Sequence, residues 1–334
     1  MKTKKKFFYI IIAVPVVLSV LVFGGIGVIA GIGNSRLKSR MDRQPAAQIR
    51  YQNEIYEYND DIMTFLIMGI DQGRDLIDIE TYEIDDEGGG QSDALFLAVL
   101  NPRDKSIRII AINRNTMTDI DVYADDGTCL QTVRAQINLQ HGFGDGREQS
   151  CEYQLKAVEH LFYDIPIHGY AAVNLSAIMA LNDTVGGVDV TVLDDITLRD
   201  PSLVKGSQVH LMGESAFWYV KYRNTDIFAS ADMRLARQKQ YLTAFLDVAR
   251  DAVKKNPRTA LDLYKALEPH MVTDISLIEA ARLLSLYSQY TFDENSFYTL
   301  EGETVLGEKF EEFYVDENAL YEMILTIFYE KKES

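Results

Sequence analysis

Met63-Thr64-Phe65-Leu66-Ile67-Met68-Gly69 and Asp93-Ala94-Leu95-Phe96-Leu97-Ala98-Val99-Leu100 decide the fold. Each is a short apolar run of strand length, and an uninterrupted run marks a strand covered on both faces. Asn101-Pro102-Arg103-Asp104 has turn chemistry, and Ser106 to Ile112 returns as a third strand, so the last two strands form a hairpin. An acidic loop from Asp71 to Gln91, carrying Gly88-Gly89-Gly90, separates the first two strands.

Downstream, helical patterns alternate with short strands. Helices are expected at 149–163, 175–182, 213–222, 231–254, 258–267, 275–290 and 316–331, with strands at 170–173 and 188–192. Gly186-Gly187 turns the chain into the latter strand. Interleaved strands and helices predict an α/β fold with a mixed central sheet sandwiched by helices. No Pro- or Gly-rich linker interrupts the chain after residue 60, so 61–334 reads as one domain and 34–60 as a polar stalk.

Upstream, Phe7 to Gly33 is 27 residues without a charge, preceded by Lys2, Lys4, Lys5 and Lys6. As a helix that is about 40 Å, longer than the roughly 30 Å hydrocarbon core of a bilayer. The stretch exceeds a cleaved signal core, so a transmembrane signal anchor at 7–33 after a cytoplasmic tail at 1–6 is expected; Val28-Ile29-Ala30 is the alternative cleavage site. Arg36, Lys38, Arg40 and Arg43 balance the leading lysines, so charge alone leaves the orientation open.

The 334 residues carry 33 Lys+Arg and 50 Asp+Glu, a net charge of −17. The average hides a division: residues 1–43 are at +7 and the remainder at −24. So acidic a body excludes a generic nucleic-acid binder. Two cysteines exclude a disulfide scaffold, and His141, His160, His168, His210 and His270 have no metal-site spacing. There is no Gly-x-Ser-x-Gly elbow and no phosphate loop with a following Lys.

Against that acidic background, cations gather between Lys221 and Arg237. On a helix Arg234, Arg237, Gln238 and Tyr241 share one stripe, with Leu235, Leu242, Phe245 and Ala249 opposite. Arginine forks suit phosphate oxygens, although pairing with nearby acids on a solvated face is the plainer reading. Asp71 follows the first strand and Asp93 opens the second, so antiparallel pairing brings both carboxylates to one end. Paired carboxylates suit Mg²⁺, a hard cation with oxygen ligands. Arg114 lies just beyond the third strand.

These segments resemble the LytR-CpsA-Psr family over about 62–250: Phe65 to Asp71 with Arg74, Gln91-Ser92-Asp93, Ile112-Asn113-Arg114-Asn115-Thr116, Gly186-Gly187-Val188, Lys221-Tyr222-Arg223 and Arg234-Leu235-Ala236-Arg237-Gln238. The resemblance implies a short cytoplasmic tail, one span and an extracytoplasmic domain at the cell membrane. It implies a Mg²⁺-dependent phosphotransferase that moves a phosphoglycan from a polyprenyl-pyrophosphate lipid to peptidoglycan. It gives Asp71 and Asp93 to the metal, and Asp71, Asp93 and Arg114 to catalysis. Arg74, Gln91, Lys221, Arg223, Arg234, Arg237 and Gln238 would bind the pyrophosphate, with Arg114 joining the clamp. The family's Arg-Ser-Asp reads Gln91-Ser92-Asp93 here, its Pro-Arg-Asp reads Asn113-Arg114-Asn115, and its Arg-x-Arg reads Lys221-Tyr222-Arg223. These departures keep two alternatives open, a non-catalytic binder of polyprenyl phosphates or wall polymer and a lipid pyrophosphatase. An exported body also admits a disulfide between Cys129 and Cys151, with two free thiols as the alternative.

Overall fold

The computed structural model describes residues 45–71, 90–124, 126–222, 230–256, 258–276, 279, 290, 296–307 and 311–332. In chain order come β1 (Gln48–Tyr51), β2 (Glu54–Tyr58), β3 (Met63–Asp71), β4 (Gln91–Asn101), β5 (Ser106–Ile112), β6 (Met117–Tyr123) and β7 (Cys129–Gln136). A 3-10 helix (Ile137–Phe143) leads into α1 (Glu148–Leu161), then β8 (Gly169–Asn174), α2 (Ala177–Thr184), β9 (Val188–Thr191), β10 (Gln208–Leu211), α3 (Glu214–Lys221), α4 (Ser230–Lys255) and α5 (Arg258–Leu267). The chain closes with β11 (Met271–Thr273), β12 (Phe297–Thr299), β13 (Gly302–Leu306), β14 (Glu311–Val315), α6 (Glu317–Phe328) and β15 (Tyr329–Lys331). The predicted helix at 275–290 lies largely outside the described residues, as do the anchor at 7–33 and Gly88–Gly89. Among the described residues no helix is long and apolar enough to cross a membrane.

The described chain falls into two compact units. One comprises residues up to Ala172 together with Val272–Glu279 and Gln289 onward; the other comprises Val173–Met271. This division leaves no mark in composition, because the crossings among the described residues at 172/173 and 271/272 fall at strands, β8 and β11, rather than in a linker.

The first unit holds a six-stranded sheet of order β11-β8-β3-β4-β5-β12. β3, β4 and β5 run antiparallel and β12 adds parallel to β5, so the sheet is mixed, as expected. The β4–β5 hairpin turns where the sequence placed it, with Asn101 Oδ1 accepting from the Arg103 N–H at 2.9 Å. Leu66, Met68, Leu95, Leu97, Val99, Ile110 and Ile112 pack in one core with Val158 of α1 and Ile324 and Phe328 of α6. Phe65, Ile67, Phe96 and Ile109, which alternate with them, are buried too. Coverage of both faces is why the strands show no apolar–polar alternation.

Residues 48–58 correct the stalk reading. β1 and β2 pair with each other, and β2 pairs antiparallel with the C-terminal β15, Tyr329 opposite Tyr58. Their charged residues hid this, because a strand with a solvated face carries few apolar residues. The C-terminal helix is also shorter than 316–331: Asp316 caps its start by accepting from the Asn318 and Ala319 N–H groups, and the chain turns into β15 after Phe328. The β6–β7 hairpin was not foreseen; its outer strand is mostly exposed and has no strand-like apolar pattern.

In the second unit, β9 and β10 pair antiparallel beside α2 to α5. Gly186 and Gly187 make the expected turn with φ of +88° and +90°. Asn182 of α2 is fully buried, donating to the Leu211 carbonyl at 2.9 Å and accepting from Tyr241 Oη at 3.1 Å.

Candidate functional site

Register places the first group of candidates. β3 and β4 pair Gly69 with Ala94, then shift so that Ile70 faces Ser92 and Asp71 faces Gln91. The shift is a bulge at which the register passes over Asp93. Asp71 therefore lies inside the paired strand, opposite Gln91, rather than one residue past its end. Only its backbone is described. The strand ends do meet, as the sequence predicted.

Around the bulge sits a polar cluster within the first unit. Arg114 Nη1 donates to Asp93 Oδ1, and its Nη2 donates to Gln91 Oε1 at 3.3 Å. Asn138, from the 3-10 helix, donates through Nδ2 to the same Gln91 oxygen at 3.0 Å. Between these residues Ser92 is buried and donates to Gln154 Oε1 of α1 at 2.8 Å. Gln154 in turn donates to the Ile137 carbonyl at 3.0 Å. The cluster thus has a half-exposed charged rim, with Arg114 side chain at 39% and Asp93 at 33%, over a fully buried amide layer. Ion pairs so exposed add little stability; what this one fixes is geometry.

The second group lies in the other unit. Lys221 ends α3, with its Nζ over the Phe217 ring at 5.2 Å from the centroid. Arg237 is 2% exposed. Its Nε lies 3.2 Å from Asp194 Oδ2 and its Nη2 donates to the Tyr222 carbonyl. Arg237, Tyr241, Phe245 and Ala249 are all buried and follow at four-residue steps, so they form one inward face. This corrects the two-stripe reading, which set Arg237 and Tyr241 against Phe245 and Ala249. A buried arginine facing its own acid is invisible to an apolar pattern. Arg234 and Gln238 are on α4, their side chains outside the described residues, and Arg74 and Arg223 lie outside them altogether.

Cys129 is exposed, Cys151 fully buried, and both are free. Burial pushes the Cys151 thiol up to about 12, which makes it inert. Among the described residues no cluster of three His, Cys, Asp or Glu side chains forms a metal site. The donors present at the bulge still suit a hard cation: the Asp93 carboxylate supplies oxygens, and Asp71 lies in the facing strand by register. Sequence reasoning missed Asn138, which carries no charge and sits in a segment to which no element was assigned.

Comparison with known proteins places the chain. It is 28% identical over 246 residues to the polyisoprenyl-teichoic acid–peptidoglycan teichoic acid transferase TagV of Bacillus subtilis, covering 72% of this chain and 56% of that protein. It is 30% identical over 185 residues to TagU of Bacillus cereus, a transferase of the same description, covering 52% and 55%. The chain thus spans about half the length of the curated relatives it matches. The fold matches the crystal structure of Bacillus subtilis TagV, with TM-score 0.53 and 24% identity over 80% of this chain and 96% of that one. It also matches the structure of TagT bound to LI-WTA, with TM-score 0.52 and 20% identity over 89% and 98%. The LytR_cpsA_psr family model matches residues 32–327, and the chain belongs to that family.

Proposed function

We propose that this chain is a glycopolymer phosphotransferase, moving a phosphate-linked glycan from a polyprenyl-pyrophosphate carrier to peptidoglycan. The observation that carries this reading is the Gln91–Asp93–Arg114 cluster at the β3/β4 bulge. Phosphoryl transfer asks the protein mainly for positioning and charge neutralisation. Arg114, held by Asp93 and Gln91, offers an oriented guanidinium to phosphate oxygens. Asp93 accepts a proton from, or orients, the acceptor hydroxyl. Mg²⁺, bound by Asp71 and Asp93, would supply further charge neutralisation. Lys221, Arg223, Arg234 and Gln238 keep the phosphate-contacting role that the resemblance gives them. Arg237, engaged by Asp194, holds its own segment in place. Residues 7–33 serve as a single membrane anchor, with the N-terminus cytoplasmic and the folded part outside.

The test is transfer of labelled glycan from a lipid-pyrophosphate donor to peptidoglycan fragments, with Mg²⁺ binding followed separately by calorimetry. A folded chain that binds the donor yet transfers nothing across several donor chemistries would overturn the enzymatic reading. That outcome would favour a second one, binding without turnover, which the pairing of Asp93 with Arg114 also supports. Phosphate release without added glycan would mark a lipid pyrophosphatase.

A further inference from the structure

Two donors converge on one atom of Gln91. Arg114 Nη2 lies 3.3 Å and Asn138 Nδ2 3.0 Å from Gln91 Oε1. Arginine has no acceptor, so the Gln91 atom facing it must be the oxygen. The Asn138 atom facing that oxygen must then be its NH₂ group. Both amide orientations are therefore fixed by donor–acceptor chemistry.

The consequences differ at the two ends. Gln91 is exposed, and with Oε1 turned inward its NH₂ group points away from Arg114 and Asn138. Asn138 is fully buried, and its Oδ1 has no hydrogen-bond partner among the described residues. Its backbone is held as well: the N–H donates to the Arg114 carbonyl at 3.3 Å, and its carbonyl lies 3.5 Å from Ser92 Oγ. A buried amide with one oxygen left unmatched is costly in a structure. Here it leaves the Nδ2 end committed to Gln91.

We infer that Asn138 is a positioning residue: by donating to Gln91 Oε1 it turns the Gln91 NH₂ group outward as a hydrogen-bond donor to the pyrophosphate oxygens of the ligand. The inference rests on the proposed function, because it needs a phosphate ligand at this cluster. It also gives Gln91 a specific task, a neutral donor beside the cationic Arg114.

The test is a double-mutant cycle on the full chain, read by calorimetric binding of inorganic pyrophosphate. Asn138→Asp keeps the shape but offers Gln91 only acceptors, so the Gln91 amide turns over and presents oxygen outward. Binding is expected to weaken about ten- to a hundred-fold, the size of one lost hydrogen bond to a charged group. In a Gln91→Ala background the same substitution is expected to add less than about two-fold. An equal loss in both backgrounds would show that Asn138 acts on structure alone and would overturn the inference. Asn138→Ala serves the same cycle if the aspartate does not fold, with thermal melting checking that each variant is native. A parent chain that binds no pyrophosphate would overturn the functional reading itself. A parent that binds, with Asn138 variants that bind equally well, would overturn only the role of Asn138.

Discussion

Arg114 donates to Asp93 across 21 residues of sequence, from the segment just beyond β5 to the bulge of β4. The pair is half-exposed, so its removal is cheap for the fold and costly for any anion that Arg114 holds. Arg114→Ala is expected to change unfolding free energy by about 1 kcal/mol or less. It should weaken pyrophosphate binding about ten-fold or more. Denaturant titration and calorimetry measure the two effects. A large stability loss with unchanged binding would remove Arg114 from the site.

His168 is a half-buried neutral histidine. The Thr64 N–H donates to its Nδ1 at 3.1 Å, which requires that nitrogen to be unprotonated, and burial pushes its pKa down to about 4. The unfolded chain takes up this proton below about 6.5. Between those values the unfolded state holds the extra proton, so stability is full above pH 6.5 and falls as pH drops toward 4. The contribution is about 3 kcal/mol. Denaturant unfolding at pH 7.5 and 4.5 measures it, and His168→Gln is expected to flatten that difference by a similar amount.

Two neighbouring glycines are expected to respond unequally. Both have positive φ, but a Cβ on Gly186 meets nothing within 4 Å, whereas one on Gly187 runs into His210 Nε2 and Met212 Sδ. Gly186→Ala should cost about 1–2 kcal/mol, from backbone strain alone. Gly187→Ala should cost about 1–3 kcal/mol more, since the His210 and Met212 side chains must shift. Equal melting temperatures would contradict the difference in packing.

The buried Arg237–Asp194 pair gives the opposite result to Arg114–Asp93. Side-chain exposures are 2% and 14%, so losing one partner strands the other. Asp194→Ala is expected to destabilise the chain by about 3–5 kcal/mol. Replacing both residues with apolar ones should recover much of that loss. Denaturant unfolding of the two variants checks this.

The two thiols differ in reach. Cys129 is exposed and Cys151 buried with its thiol pushed up to about 12. Iodoacetamide at pH 8 is expected to add one label to the native chain and two after denaturation. Intact mass without reductant should show both thiols free.

Much of the fold was legible because its centre is apolar on both faces. The runs at 63–69 and 93–100, the Asn101–Asp104 turn and the Gly186-Gly187 turn all appear where local pattern puts them, since burial and backbone freedom leave composition no other reading. The site was legible only as an inventory. Asp93 and Arg114 stand out by charge, while Asn138 is one amide among many.

By itself the sequence determined the central hairpin, the acidic character of the folded part and the family resemblance, because each depends on residues near one another in the chain. Tertiary structure decided what depends on distant pairing. It set β1 and β2 beside the C-terminal β15, where residues 48–58 had looked like a stalk. It turned Arg237 inward to Asp194, and it put Asp93 in a bulge facing Arg114. It also joined Gln91 to Asn138 through a single oxygen. A charge or amide announces what it can bind, but its partner is chosen by the backbone that carries it there, and that choice is written in register and packing rather than in spacing.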